Sequence, residues 1–381
     1  MQLLAALAVA AALAACGKRR DDEPAPAQGS GPPADGARAA TPALRPVAEL
    51  RERALLVGGT RRIALWVGDA GWYEPDARGL AAQPLIGSAI ARARAELGEL
   101  TDAFLGTRPI LAGGEEHRER VLRFLPAPAP VALPGMLVQV AATGALDVWA
   151  YEHELRTELA TVDAAGTLAA LPAFPLLGPA AESISPVGAK ACAAPKVRDL
   201  AGTGDAVLAL VTECHPRAPV RIATYRWPAP GAPPVRTIAT LGSLAELDLE
   251  IDHLLATRAG APILVGRRGG TAVVLRLGGA GAAGAPAIGS SGVEAVTHAA
   301  VADDGAVWLL ALGRGPGGRD RIVVSRDGAP VDLATPAGTP LRAESLAFDE
   351  RLGIVVLAHE GAVRWLLAER AAAGPAVRLP R

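Results

Sequence analysis

The sequence predicts an all-β body of repeated four-stranded units. Three observations predict it. Short runs rich in β-branched residues are bounded by turn residues. A glycine followed by an apolar run recurs through the later part of the chain. One stretch alone carries helical spacing. With 381 residues, 50% of them hydrophobic, the chain can bury a large core. Lys+Arg 38 against Asp+Glu 39 leaves a formal net charge of -1. Such a chain has no global field to gather nucleic acid, and no nucleic-acid partner is expected.

The chain opens with an apolar leader. Residues 3–15 carry no charged or polar side chain. Thirteen residues reach about 20 Å as a helix, short of a hydrocarbon core of about 30 Å. That length suits the apolar region of a signal peptide. The run ends Leu13-Ala14-Ala15-Cys16, which resembles the lipobox of bacterial lipoproteins. The resemblance implies a signal peptide over 1–15, cleavage before Cys16 and lipidation of its thiol. Gly17 in place of Asp implies the outer membrane of a Gram-negative envelope, with the body on its periplasmic or surface side. One departure is the lack of any Lys or Arg ahead of the apolar run. The alternative is a buried N-terminal helix that happens to end in cysteine.

Residues 16–46 read as a disordered tether. Six prolines (24, 26, 32, 33, 42, 46) and four glycines leave few large apolar groups to offset the entropy of ordering. Lys18, Arg19 and Arg20 could rest on anionic head groups, or form a solvated run with Asp21, Asp22 and Glu23.

From residue 47 to 381 the units begin. Runs such as 63–67, 207–211 and 354–357 have strand length and punctuation. The glycine that precedes an apolar run stands at 144, 204, 260, 305 and 353, with Gly59 as an earlier member. The clearest unit places strands at 298–302, 306–312, 321–325 and 330–333, with hairpin turns at Asp304-Gly305 and Asp327-Gly328. The next places them at 345–348, 353–358, 362–368 and 376–379. Four strands in forty to sixty residues is the signature of a propeller blade. Asp304-Gly305-Ala306-Val307-Trp308 resembles blade sequences of bacterial β-propellers, loosely over 135–381. The resemblance implies about six or seven four-stranded blades closed into a ring. The WD signature is absent, and no kelch double glycine recurs at a fixed place. The alternative is a pair of β-sandwiches or another all-β array.

Residues 84–105 carry the helical spacing, in Ile86, Ile90, Ala93, Leu97, Leu100 and Phe104. They predict a helix of about five turns closed by Gly106 and Pro109. It is either an insertion in the first blade or part of a small α/β domain ahead of the ring.

With Cys16 assigned to lipid, Cys192 and Cys214 remain. Export to an oxidising compartment and an even remainder suggest a disulfide; the alternative is two free thiols. The absence of any CxxC argues against a redox or zinc site.

Familiar catalytic motifs are missing. Gly289-Ser290-Ser291-Gly292 has the wrong spacing for a nucleophile elbow, and His153-Glu154 lacks a second zincin histidine. No cofactor, catalytic residue or metal ligand set is expected. His253 and His298 each lie seven residues before a repeat glycine, so they should occupy equivalent places on adjacent innermost strands near the channel. They are the ligand-binding candidates; the alternative is that each is a satisfied structural hydrogen-bonder. Counting the same way gives Leu346, Val197 and Leu137 elsewhere, which makes no full ring. Glu246, Asp248, Glu250 and Asp252 alternate with apolar residues, as four acids on one strand face. Calcium would suit them, but a solvated outer face is the favoured reading. Trp66, Trp149, Trp308 and Trp365 fall in strands and read as blade core rather than sugar-stacking groups.

The function these features predict is an envelope-anchored lipoprotein, a binding or scaffolding module for a protein or glycan. The alternative is a lipid-anchored propeller enzyme, a metal-dependent hydrolase or lactonase, using the channel mouth.

Overall fold

The computed structural model describes residues 43–379, except 68–70, 77–78, 98–99, 116–117, 125–127, 145, 155, 164, 178–193, 216, 230, 278–282, 287–292, 315–319 and 372–375. The leader, Cys16, most of the tether and Cys192 lie outside the described residues. The chain divides into Met1–Ala40 and Thr41–Arg381, and only the second is described. No described helix is long and apolar enough to cross a membrane.

The body is a β-propeller of six hydrogen-bonded sheets. Its strands run in order as antiparallel meanders. Unit one is β2 (Ala54–Gly59), β3 (Arg62–Val67), β4 (Gly71–Asp76) and β5 (Gly79–Ala82). Unit two is β6 (Leu100–Leu105), β7 (Pro109–Glu115), β8 (Arg118–Phe124) and β9 (Pro128–Ala132). Unit three is β10 (Met136–Thr143), β11 (Leu146–His153), β12 (Arg156–Val162) and β13 (Leu168–Ala170). Unit four is β14 (Lys196–Gly202), β15 (Ala206–Thr212), β16 (Pro219–Arg226) and β17 (Val235–Ser243). Unit five is β18 (Glu250–Ala256), β19 (Pro262–Arg268), β20 (Thr271–Arg276) and β21 (Ala283–Pro286). Unit six is β22 (Val293–Val301), β23 (Val307–Arg314), β24 (Asp320–Arg326) and β25 (Ala329–Pro330). Unit seven is β26 (Arg342–Asp349), β27 (Gly353–Glu360) and β28 (Val363–Ala368), completed by β1 (Arg45–Leu50) and β29 (Val377–Arg378).

Units one and two share an eight-stranded sheet through one parallel pair, Gly59↔Leu105. The approach is so close that a Cβ on Gly59 would lie 2.3 Å from the Leu105 carbonyl oxygen. The inner strands β2, β10, β14, β18, β22 and β26 each touch the next, and β26 touches β2. They close a ring whose narrow channel, about 250 Å³, is walled by Ala141, Leu255, Ala299 and Ala347 among others. Strand β6 contacts both β2 and β10. The seven meanders thus form six sheets around six channel-lining strands.

The ring is sealed by β1, which pairs antiparallel with β28 and parallel with β29. Val47, Ala48 and Leu50 are buried against Val355, Leu357 and Leu366. By composition Arg45 and Pro46 belong to the tether, and by spacing 376–379 is the fourth strand beside 362–368. Strand β1 takes that place instead, because it carries the apolar face that unit seven lacks.

The predicted helix is shorter than its spacing suggested. Helix α1 (Pro84–Leu97) ends before Gly98, and residues 100–105 form the inner strand of unit two. Leu100 and Phe104 satisfy both periods, which misled the reading. Helix α1 connects units one and two, packing Ile86, Ile90 and Ala93 against Trp72, Ala103 and Leu111. The recurrent glycine turns the hairpin between first and second strands. Gly305 (φ 83°) and Gly353 (φ 73°) hold the left-handed conformation there. The strand tryptophans are blade core as expected: Trp149 and Trp308 are fully buried, Trp308 beside Phe348, Val356 and Leu367 between units six and seven.

Candidate functional site

At one end of the channel the inner strands share a feature that period-two counting does not reveal. Five of them carry a β-bulge, at Val138, Arg198, Asp252, Thr297 and Glu344, as does β6 at Thr101. A bulge inserts one unpaired residue and re-aims the side chains beyond it. The residues that resume pairing are Asp102, Gln139, Asp199, His253, His298 and Ser345, every one polar. One position further on, Val140, Leu200, Leu254, Ala299 and Leu346 line the channel. On the five channel strands a polar residue, Gln139, Asp199, His253, His298 or Ser345, therefore stands one position before the apolar bore and forms a polar crown.

His253 and His298 stand at equivalent post-bulge positions on the neighbouring inner strands β18 and β22. Their equivalents are Ser345, Asp199 and Gln139, not Leu346, Val197 and Leu137. The glycine count slips because the hairpin turns differ in length.

Most of the crown is knitted into a chain between units. Gln139 Nε2 donates to Asp199 Oδ1 at 2.9 Å, and Asp199 Oδ2 accepts from Leu254 N at 2.7 Å. The same Oδ2 lies 3.7 Å from His253 Nδ1, and His253 Nε2 is 2.9 Å from the Val296 carbonyl. A carbonyl only accepts, so Nε2 carries a proton, and the Asp199 carboxylate favours a second on Nδ1. Burial lowers the His253 pKa, but the nearby Asp199 carboxylate, the Val296 carbonyl and the charge of Asp252 outweigh that, leaving a net upward shift.

His298 is the opposite case. Thr297 Oγ1 donates its one proton to the Leu310 carbonyl at 3.1 Å. The contact of 3.3 Å between His298 Nδ1 and that same oxygen must then run from Nδ1–H to Thr297. His298 Nε2 is left with a bare lone pair. Burial, with the charge of His253 beside it, pushes the His298 pKa down to about 4. Two neighbouring imidazoles are thus driven apart, one toward the cation and one held neutral. Ser345 Oγ is buried with no partner among the described residues.

His298 also lines a cavity of about 440 Å³ between units six and seven. Its floor includes Leu310, Leu312 and Ile322, and its rim holds Arg342, Glu344 and His359. None of the rim residues stood out in the sequence, because nothing local marks two adjacent units as sharing a pocket.

The other sequence candidates separate. Glu246 lies not on a strand but in α2 (Leu244–Leu247), where Ser243 and Glu246 form a capping box. Asp248 is its left-handed C-cap. The expected row of four acids is therefore broken by a helical turn, and only Glu250 and Asp252 share a strand. Both pair with Arg267, at 2.9 and 3.0 Å. Among the described residues no group of three His, Cys, Asp or Glu is placed to hold a metal. Cys214 follows β15 directly beyond Glu213.

The far end of the channel is lined by Thr60, Arg61 and Phe348, and hydrogen bonds join the units around it. Thr60 Oγ1 reaches across to accept from Ala142 N at 2.9 Å. Arg61 bonds Glu350 at 2.8 Å and also Asp303, and stacks over Phe348 at 4.9 Å. Asp303 accepts Arg370 as well, at 2.8 Å.

No family model and no curated protein matches the chain. Among solved structures it is similar to the Cps50 (Swd1) beta-propeller domain of Myceliophteria thermophila, at 12% identity over 85% of this chain and 98% of that one, TM-score 0.45. It is similar to YCF48 from Cyanidioschyzon merolae, at 14% identity over 86% and 98%, TM-score 0.46. It is also similar to a gluconolactonase from Xanthomonas campestris, at 14% identity over 69% and 82%, TM-score 0.35. These likenesses are of fold.

Proposed function

We propose that the chain is an exported, lipid-anchored propeller that acts as a binding module, taking a polar ligand of protein or glycan origin at the cavity that His298 lines between units six and seven. The observation that carries binding is His298: an imidazole whose pKa burial holds near 4, with a free Nε2, on the wall of a cavity. A site of this kind recognises hydrogen-bond donors in a partly dry setting. The anchor rests on Leu13-Ala14-Ala15-Cys16 and the proline-rich tether. Export would also favour a Cys192–Cys214 disulfide, worth about 3 kcal/mol in the chain-entropy model.

The test uses the full-length protein in detergent against a panel of neutral and acidic oligosaccharides and short peptides. At least one should bind, and His298→Gln should weaken it about tenfold, as for a lost buried hydrogen bond. A panel with no binder, or binding indifferent to His298, overturns the reading. Mass spectrometry of the same sample checks the anchor. An acylated Cys16 terminus supports it; an unmodified Met1 terminus removes it.

A second reading, a lipid-anchored hydrolase or lactonase, draws on the same split protonation, with His298 as a general base. A metal-dependent form would require His253 to abandon Val296 and Asp199, which makes that form the weaker one.

A further inference from the structure

The cavity between units six and seven has a chemistry that narrows its ligand. Its floor is apolar, from Leu310, Leu312 and Ile322. Arg342 on its rim is exposed and makes no hydrogen bond or ion pair among the described residues. The rim carboxylate of Glu344 is already taken by Arg364 Nε at 3.0 Å. The rim therefore offers an uncommitted cation and no uncommitted anion, which suits a carboxylate and disfavours an amine. His298 Nε2 accepts. His359 adds a second acceptor, since its Nδ1 must donate to the Gly361 carbonyl at 3.4 Å, leaving Nε2 bare in the neutral ring. Acceptors on a rim call for a hydroxyl on the ligand. At about 440 Å³ the space suits a molecule of six to eight carbons, toward the small end of ligand pockets.

We propose that this cavity binds a short-chain hydroxy acid, with its carboxylate on Arg342, its hydroxyl on His298 and its alkyl chain over Leu312 and Ile322. The proposal rests on the binding-module reading and names the ligand class of that site. An acid of this kind, free or as a substituent of a glycan, presents the same three groups.

The experiment is isothermal titration of the full-length protein in detergent at neutral pH with three probes: 3-hydroxyhexanoate, hexanoate and hexane-1,3-diol. The hydroxy acid should bind, and each analogue lacking one polar group should bind about tenfold more weakly, as sites built for a hydrogen bond reject partners without it. Arg342→Gln should erase the preference over the diol, and His298→Phe the preference over hexanoate. Melting temperatures near that of the parent keep loss of fold out of the result. Equal binding of all three probes overturns the proposal, as does binding by none. If none binds while an oligosaccharide or peptide binds in a His298-dependent way, the binding-module reading stands and the hydroxy acid falls.

Discussion

His253 and Asp199 come from different units, on β18 and β14, yet their side chains meet with Nδ1 3.7 Å from Oδ2. The same carboxylate oxygen holds the backbone of Leu254 at 2.7 Å. Asp199 therefore positions both the ring and the strand that bears it, and by raising the His253 pKa it adds to the burial that holds His298 low. The crown behaves as one electrostatic unit built across adjacent blades.

The pair should be visible by NMR titration of the imidazoles. His253 should titrate above 6.5 and His298 near 4. Asp199→Asn should lower the first and raise the second, because a neutral His253 no longer repels a proton from its neighbour. Two histidines titrating together near 6.5 would show that the coupling is absent.

Stability should follow. The His253 pKa is raised on folding, so its contribution is full below about 6.5 and is lost as pH rises through the folded value. The His298 pKa is lowered on folding, so its contribution is present above about 6.5 and is lost as pH falls toward 4. Denaturant melts should therefore show a loss of up to about 3 kcal/mol from His298 between pH 6.5 and 4. His298→Gln should flatten that slope; an unchanged slope would assign it elsewhere.

Arg221 and Glu213 form an ion pair at 2.8 Å with both side chains 1% exposed. The pair also ties down an extended strap. Arg221 donates to the Pro175 carbonyl at 2.8 Å, and Glu213 accepts Leu177 N at 2.9 Å. Phe174 lies between Arg221 and Arg236, 5.8 and 5.3 Å away. Glu213→Ala should cost about 3–5 kcal/mol in a chemical melt, because it strands a buried cation. A loss below about 1 kcal/mol would mean that water reaches Arg221.

Ring closure should dominate global stability. A chain beginning at residue 51 lacks the buried Val47, Ala48 and Leu50 and leaves β28 an open edge. Relative to one beginning at residue 43, it should lose about 5 kcal/mol or more and tend to aggregate. Equal melting temperatures would refute the role of β1.

Arg61 draws units one, six and seven together below the channel. Arg61→Ala should cost about 2 kcal/mol, from two charge-assisted bonds and a ring contact in a partly screened setting. Double-mutant cycles with Asp303 and Glu350 would apportion it. Additive effects would mean that the contacts are incidental.

Much of this architecture was legible in the linear chain. The repeat glycines, the Asp-Gly turns and the strand tryptophans mark local hairpins, and hairpins depend on neighbours in sequence. His253 and His298 were found as equivalents because their two units happen to keep the same count from bulge to turn. The helix was overextended because Leu100 and Phe104 fit two periods at once, and the acid row was misread because a capping box outranked alternation at Ser243.

The sequence by itself determined the strand-forming units, their number to within one, and two of the crown residues, since those follow from side-chain period and turn chemistry. Only the tertiary structure decided that β1 returns to close unit seven, that five bulges align their polar residues in a crown, and that Arg342 and His359 share a pocket with His298. Each of those depends on contacts between residues tens to hundreds of positions apart, and a bulge shifts the alternation by one residue without leaving a mark in composition.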